Sequence, residues 1–280
     1  MADSHGRFIW YELMTTDMAA AKAFYAEVMG WRAQDVPIPG KDFALFIAAR
    51  DWVSGVMHLP EDARRMGAKP GWIGYVAVDD VDAAAARVAQ LGGIVHIPPT
   101  DIPDISRFAI VADPQAAMFA LFKGNKPLQR PQVEQGRGHV VWHELIGTDA
   151  KAFAFYAEIF GWRKANADAG QMHDSYQLFS AGTQTLGGIL GRSAAALVPF
   201  WLYYFSIGDI DAAAKRVTAG GGRIIDGPHG LGGDSAIVLC SDPQGATFAL
   251  EGKGSRGAIG YFERVGSQTP AEARGRRWHW

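Results

Sequence analysis

Cysteine is nearly missing: the 280-residue chain has one, Cys240. That excludes a disulfide scaffold and any zinc site built from several thiolates. Cys240 lies in "SAIVLCS", an alternating strand pattern, and is expected to be a small buried thiol rather than a nucleophile. No sign of charge dominates, since 27 Lys and Arg face 29 Asp and Glu. Neither a nucleic-acid surface nor an acidic tail is therefore expected. The one basic cluster, Arg274, Arg276 and Arg277 in "RGRRWHW", reads as a tail. No apolar run approaches the roughly eighteen residues of a membrane helix, and "MADSHGRF" has no charged-then-apolar leader. The expectation is a cytoplasmic protein without nucleic-acid or membrane partners. Phosphate loops are missing too, and the Gly pairs at 92–93 and 220–222 end helices instead of forming a dinucleotide fingerprint.

What the chain does have is repetition. "GRFIWYEL" at 6–13 returns as "GHVVWHEL" at 138–145, and "FYAEVMGW" at 24–31 as "FYAEIFGW" at 155–162. "DDVDAAAARVAQLGG" at 79–93 returns at 208–222, and "DPQAAMFALF" at 113–122 at 242–251. A unit of about 120 residues is duplicated, far longer than a solenoid repeat. The domains are read as 6–123 and 138–252, with a Pro- and Gln-rich linker at 124–137 and a tail at 253–280.

Each unit again splits in two. "FIWYELMT" alternates as a half-buried strand does. Asp17 is placed as a helix N-cap, 18–29 puts Ala21, Phe24, Tyr25 and Val28 on one face, and Gly30 ends the helix. Strands are expected near 31–36, 43–48 and 53–58. "WIGYVAV" (72–78) restarts the pattern with Asp80 as cap, a helix to Leu91, and strands near 94–97, 106–112 and 117–122. Four β-α-β-β-β modules result. One module leaves a sheet face uncovered, so two must pair edge to edge around a cleft.

"TTDMAAAKAFYAEVMGW", "VDDVDAAAARVAQLGG" and "DPQAAMFALF" resemble the glyoxalase/bleomycin-resistance/extradiol-dioxygenase, or vicinal oxygen chelate, superfamily, in a tandem glyoxalase-like form. The resemblance spans both halves. It implies an α+β protein of two tandem domains, each of paired βαβββ modules curling a mixed sheet around a cleft. It also implies metal ligands at Trp10, Ile73 and Ala120, and at Trp142, Leu202 and Ala249. A fourth position falls near Met57–His58 and Ile189–Leu190. Trp, Ile, Leu and Ala offer no usable lone pair to a divalent ion, so no cofactor is expected.

The polar groups beside those positions then become the candidates. Strand side chains alternate faces, so Glu12 shares a face with Trp10, and Tyr11 and Leu13 pack against the helix. The same step on the other strands brings in Tyr75, Tyr204, Glu251 and Phe122. Trp10 and Trp142 either stack on a flat ligand or plug the space a metal would fill. Glu12 and Glu144 either face the cleft or lie at a sheet end near an arginine such as Arg107. Tyr75 and Tyr204 read as core tyrosines or pocket groups. Glu144 and Glu251 are candidates to share a proton. His143 points opposite to Glu144, so "HE" is not a chelate. His58, His96, His173 and His229 are expected in surface or hydrogen-bonded roles. "HIPPTDIPD" (96–104) and "GPHGLGG" (227–233) read as loops, the latter as a flap beside the cleft.

Two function classes follow. One is a metal-free binder of a small aromatic or cationic molecule, with Trp10, Glu12, Tyr75, Trp142 and Tyr204 as its pocket. The alternative is a glyoxalase-like enzyme acting on a small carbonyl compound, with Glu144 and Glu251 as acid and base or with a non-standard metal site. A homodimer is compatible with either.

Overall fold

Aspartates set the starts of three of the helices, as their spacing suggests. In a computed structural model, Asp17 accepts the Ala20 amide at 2.9 Å, Asp80 that of Ala83 at 3.0 Å, and Asp209 that of Ala212 at 2.9 Å. Each satisfies an N–H that the first helical turn leaves open. Gly30 and Gly161 close their helices in the left-handed region, at φ 75° and 66°, where a Cβ is penalised. The structure describes residues 4–38, 40, 42–125, 136–148, 151–165, 176–191 and 198–254. His173, most of the linker and the tail from 255 lie outside them.

The first domain runs β1 (Phe8–Thr15), α1 (Met18–Met29), β2 (Arg32–Asp35), β3 (Phe43–Ala48), β4 (Asp51–His58), a short α2 (Glu61–Arg65), β5 (Gly71–Ala77), α3 (Val81–Gln90), β6 (Ile94–Ile102), β7 (Ser106–Ala112) and β8 (Met118–Gly124). The second repeats this as β9 (Val140–Thr148), α4 (Ala152–Phe160), β10 (Arg163–Lys164), β11 (Tyr176–Ala181), β12 (Gln184–Gly191), β13 (Phe200–Asp209), α5 (Ile210–Ala219), β14 (Arg223–Gly232), β15 (Ser235–Ser241) and β16 (Thr247–Lys253). Each domain is one eight-stranded sheet, ordered β2-β3-β4-β1-β5-β8-β7-β6 and β10-β11-β12-β9-β13-β16-β15-β14. The modules join through antiparallel β1–β5 and β9–β13 pairs.

Three local readings need correction. Residues 96–104 and 227–233 are mostly strand, in β6 and β14, rather than loops. Their prolines are tolerated because both are edge strands with irregular register. The "GPHGLGG" segment is paired to β15 and is no flap. Tyr11 also reaches the other domain, with its hydroxyl 2.6 Å from His143 Nε2.

That contact belongs to a continuous core between the domains, made of the helices and the sheet faces that carry them. Helix α1 packs on α5, and α3 on α4. The repeated "FY" and "DP" motifs meet there: Tyr156 donates to Asp113 at 2.9 Å, and Tyr25 to Asp242 at 3.2 Å. Each bond joins a helix of one domain to a turn of the other. His143 Nδ1 lies 2.7 Å from the Leu186 carbonyl. That carbonyl only accepts, so Nδ1 carries the proton and Nε2 takes the Tyr11 hydroxyl. Cys240 is fully buried, and burial pushes its thiol up to about 12. The opposite sheet faces, turned away from this core, carry two smaller apolar clusters that line the clefts.

Candidate functional site

The cleft faces bring together nearly all of the candidate residues, in an arrangement set by strand direction. In the first domain Trp10, Tyr75, Phe122, Ile73 and Ala120 form one apolar cluster. Trp10 stands opposite Tyr75, which stands opposite Ala120. In the second domain Trp142, Tyr204 and Ala249 form the matching row. Glu12 lies one step away opposite Ile73, and Glu144 opposite Leu202.

This overturns the idea of a common step along each strand. β1 runs antiparallel to β5, so two residues forward on one is two residues back on the other. Glu144 and Glu251 therefore lie on opposite sides of the Trp142 row. Glu251 faces Ser206 while Glu144 faces Leu202, four residues apart on the intervening β13. With strands about 4.8 Å apart and a rise of about 3.3 Å per residue, their backbones are roughly 15 Å apart. Sharing a proton directly is excluded at that separation.

Glu12 and Glu144 instead each have a tyrosine. Tyr204 donates its hydroxyl to Glu144 Oε2 at 2.6 Å. Tyr75 is hydrogen-bonded to Glu12, and burial followed by that carboxylate pushes its ionisation well above the usual range. Glu12 is 8% exposed and Glu144 1%, so neither lies at a solvent-facing sheet end. Arg107 is not their partner, because it binds Asp82 at 2.7 and 2.8 Å and Asp101 at 2.9 Å. A buried carboxylate needs donors, and the tyrosine one row over supplies one. Trp142 is half-buried and donates Nε1 to the Tyr176 hydroxyl at 3.1 Å. That bond fixes the indole plane against the cleft wall.

Glu251 differs. It is half-buried on β16, and burial raises its pKa above the ordinary carboxylate value. Its neutral form is thus favoured by folding. The stabilising contribution is present below the unfolded value, near pH 4, and is lost as pH rises through the folded one. Glu251→Gln is accordingly expected to match the native protein at about pH 4 and exceed it at pH 7. Urea midpoints at the two pH values measure this, and equal midpoints at pH 7 count against a desolvated Glu251.

Asp226 and His229 on β14 were not anticipated as site residues. His229 is 5% exposed, and its Nε2 lies 2.9 Å from Asp226 Oδ2. Both line a small, largely enclosed cavity with Tyr204, Leu202, Ile237 and Ala249. The Gly-Pro content of "GPHGLGG" masked the strand. The signal available was the repeat itself, which places Ile97 and Thr100 at the same register in β6: both Ile97 and Asp226 pair with the residue two after the partner of Thr100 or His229. His58 is exposed near Asp42, at 3.9 Å, and His96 is exposed on β6.

The donor set does not fit a His- and carboxylate-bound metal. On the strand that pairs with β1, Gly55 stands opposite Glu12 and Met57 opposite Met14, and in the second domain Gly188 stands opposite Glu144 and Leu190 opposite Ile146. Trp10, Ile73 and Ala120, and Trp142, Leu202 and Ala249, stand at the positions where the resemblance puts an ion's ligands, and none of these side chains has a lone pair suited to a divalent ion. Among the described residues, no three His, Cys, Asp or Glu side chains group as metal ligands.

A model of the Glyoxalase/Bleomycin resistance protein/Dioxygenase superfamily matches residues 7–121 and again 138–250. The chain belongs to this superfamily. A Mycobacterium tuberculosis protein named as a candidate glyoxylase, CFP32, is 34% identical over 247 residues, covering 86% of this chain and 92% of that protein. The anthracycline biosynthesis protein DnrV of Streptomyces peucetius is 32% identical over 261 residues, covering 86% and 91%. Among solved structures of the superfamily, the Mn(II)-bound glyoxalase from Novosphingobium aromaticivorans aligns over 99% of this chain and 95% of its own at a TM-score of 0.58 and 17% identity. The 2,3-dioxygenase LapB from Pseudomonas sp. KL28 aligns over 91% and 95% at 0.59 and 12%. Those two share the fold.

Proposed function

We propose that this chain binds a small aromatic or cationic molecule in its clefts, the second domain above all, without a metal at the superfamily's positions. The observation that carries the reading is the Trp142–Tyr204–Ala249 row with Glu144 holding the Tyr204 hydroxyl at 2.6 Å. An aromatic wall and oriented acceptors occupy the place of an ion's ligands. Trp142 offers a flat apolar face, its indole N–H already spent on Tyr176. A flat ligand is also in keeping with a relative named for anthracycline biosynthesis. The reading calls for no cofactor and for neither nucleic acid nor a membrane as partner. Among the described residues, no helix is long and apolar enough to cross a bilayer.

Two measurements test it. Elemental analysis of protein purified without chelator is expected to find Zn, Ni, Fe and Mn far below one per chain, and a stoichiometric metal sinks the metal-free reading. A screen of small aromatic compounds is expected to find ligands that change tryptophan emission. Trp142→Ala should weaken those ligands about tenfold while the chain stays folded. A Trp142→Ala variant that only destabilises the fold removes the stacking role.

The enzyme reading rests on a different observation, the raised ionisation of Glu251. Burial favours the neutral form of Glu251, and a carboxylic acid shifted that way is better suited to donate a proton to a small carbonyl compound. Glu144, on the far side of the Trp142 row, would have to act on another atom of the same ligand.

A further inference from the structure

The two clefts share one plan, and the positions at which they differ give the first domain a ligand preference of its own. Trp10, Tyr75, Phe122 and Phe108 come one each from β1, β5, β8 and β7, four neighbouring strands. Trp10 stands opposite Tyr75, and Phe122 stands opposite Phe108. The Tyr75 and Phe122 rings meet edge to face, their centroids 6.1 Å apart at 78°. Rings in the core between the domains are covered by other rings, as Trp162 is by Phe179 at 4.3 Å. Among the described residues, Trp10 and Phe108 have no other ring against them, and both are half-buried. In the second domain Glu251 and Ile237 take the places of Phe122 and Phe108. The four-ring wall is therefore a property of the first cleft. With strands about 4.8 Å apart it is about 14 Å wide, room for a fused-ring molecule.

The second difference concerns an indole N–H. Trp142 donates Nε1 to the Tyr176 hydroxyl. Phe43 holds the position of Tyr176, opposite Met57 as Tyr176 is opposite Leu190. Both rings lie across the facing glycine: a Cβ on Gly55 would meet Phe43 Cζ at 2.8 Å, and one on Gly188 would meet Tyr176 Cζ at 2.1 Å. The place is the same but the hydroxyl is gone, and Trp10 Nε1 bonds to no group among the described residues. An indole nitrogen only donates. The carboxylate beside it, Glu12, is hydrogen-bonded to Tyr75. The cleft thus offers aromatic surface and an unused donor.

We propose that the first domain's cleft is a separate binding site for an uncharged fused-ring aromatic bearing a carbonyl oxygen, the rings lying along Trp10, Tyr75, Phe122 and Phe108 and the oxygen accepting the Trp10 indole N–H. This rests on the metal-free binding reading and adds to it a second site with its own ligand class. A carbonyl oxygen has lone pairs and no proton, the complement of an indole N–H. An ammonium would bring donors to a donor. A carboxylate would set a second negative charge beside the buried Glu12.

Calorimetric titration of the full chain at pH 7 with 2-acetylnaphthalene, 2-ethylnaphthalene and 2-(aminomethyl)naphthalene tests this. The ketone and the hydrocarbon have nearly the same shape, so their difference reads the hydrogen bond. The ketone is expected to bind about fivefold tighter than the hydrocarbon, and the amine more weakly than the ketone. Trp10→Phe keeps a ring, removes the N–H and should abolish the ketone's advantage. Phe43→Tyr restores the hydroxyl that Tyr176 has, occupies the Trp10 N–H and should abolish it too. Phe122→Glu, which writes the second domain's residue into the first, should weaken both neutral probes about tenfold. Equal binding of ketone and hydrocarbon, tightest binding of the amine, or a ketone advantage that survives in either Trp10→Phe or Phe43→Tyr overturns the inference and leaves the binding reading standing. Failure of all three probes to bind at their solubility limits overturns the binding reading and this inference with it. The ratio of the two neutral probes is taken within each variant, so a change in overall stability does not imitate it.

Discussion

Asp113→Ala is expected to lower the unfolding free energy by about 3–5 kcal/mol. The carboxylate is 1% exposed and belongs to the "DP" motif at the β7–β8 turn. Oδ1 accepts the amides of Gln115 and Ala117, each at 2.9 Å, and Oδ2 accepts the Tyr156 hydroxyl at 2.9 Å. Removing it leaves two turn amides and a fully buried phenol proton without their acceptor. Each such orphan costs about 1–3 kcal/mol. Tyr156 is on α4 of the other domain, so the loss is shared by both domains. In a chain of this size the midpoint temperature should fall by about 10 °C. Asp113→Asn keeps an oxygen for the turn amides and should cost about 1–2 kcal/mol. Asp242→Ala should cost less than Asp113→Ala, because Tyr25 reaches Asp242 at 3.2 Å and burial already raises the pKa of Asp242, disfavouring its charge. Urea denaturation followed by circular dichroism gives these differences. An Asp113→Ala variant within about 1 kcal/mol of the native chain would falsify the bridging role.

The same motif shows what the sequence could and could not reveal. Capping aspartates, closing glycines and alternating strands are signalled by neighbours a few residues away, so the helices and most strands were legible. The duplicated modules made the fold class readable, and alternation put Trp10, Glu12, Trp142 and Glu144 on their proper face. Strand direction carries no such local signal. The antiparallel β9–β13 pairing, beside the parallel β13–β16 pairing, is what separates Glu144 from Glu251. Docking of the domains was also hidden: nothing near Tyr11 in sequence announces His143, 132 residues away. Asp226 and His229 were obscured because Gly and Pro ordinarily mark turns, and only an edge strand tolerates them as β14 does.

Exchanging Gly74 and Tyr203 is the sharper test of how the two halves came to fit. The positions are equivalent in the repeat, yet they face each other: Gly74 N–H donates to the Tyr203 hydroxyl at 2.7 Å. A Cβ on Gly74 would lie 2.6 Å from that oxygen and 2.9 Å from the Phe8 ring. The neighbouring pair Tyr11 and His143, again equivalent positions, meets in the same way. Where equivalent positions meet near a pseudo-two-fold axis, two identical large residues would collide and two glycines would leave a hole. Fusion into one chain let one copy become large and the other small. Tyr203 is fully buried among Phe8, Tyr11 and His143. Tyr203→Gly alone should therefore cost about 4 kcal/mol or more, from the cavity and the backbone left flexible. Gly74→Tyr alone places two tyrosines in one space and should cost at least as much. The double exchange refills that space from the opposite side, so its cost should fall short of the summed single costs by about 2 kcal/mol or more. Complete recovery is not expected, because Tyr11 and His143 remain unexchanged beside it. Urea midpoints of the two single variants and the double supply the cycle. Additive costs would show that the site is governed by each residue's own sheet and not by the pairing across the domains.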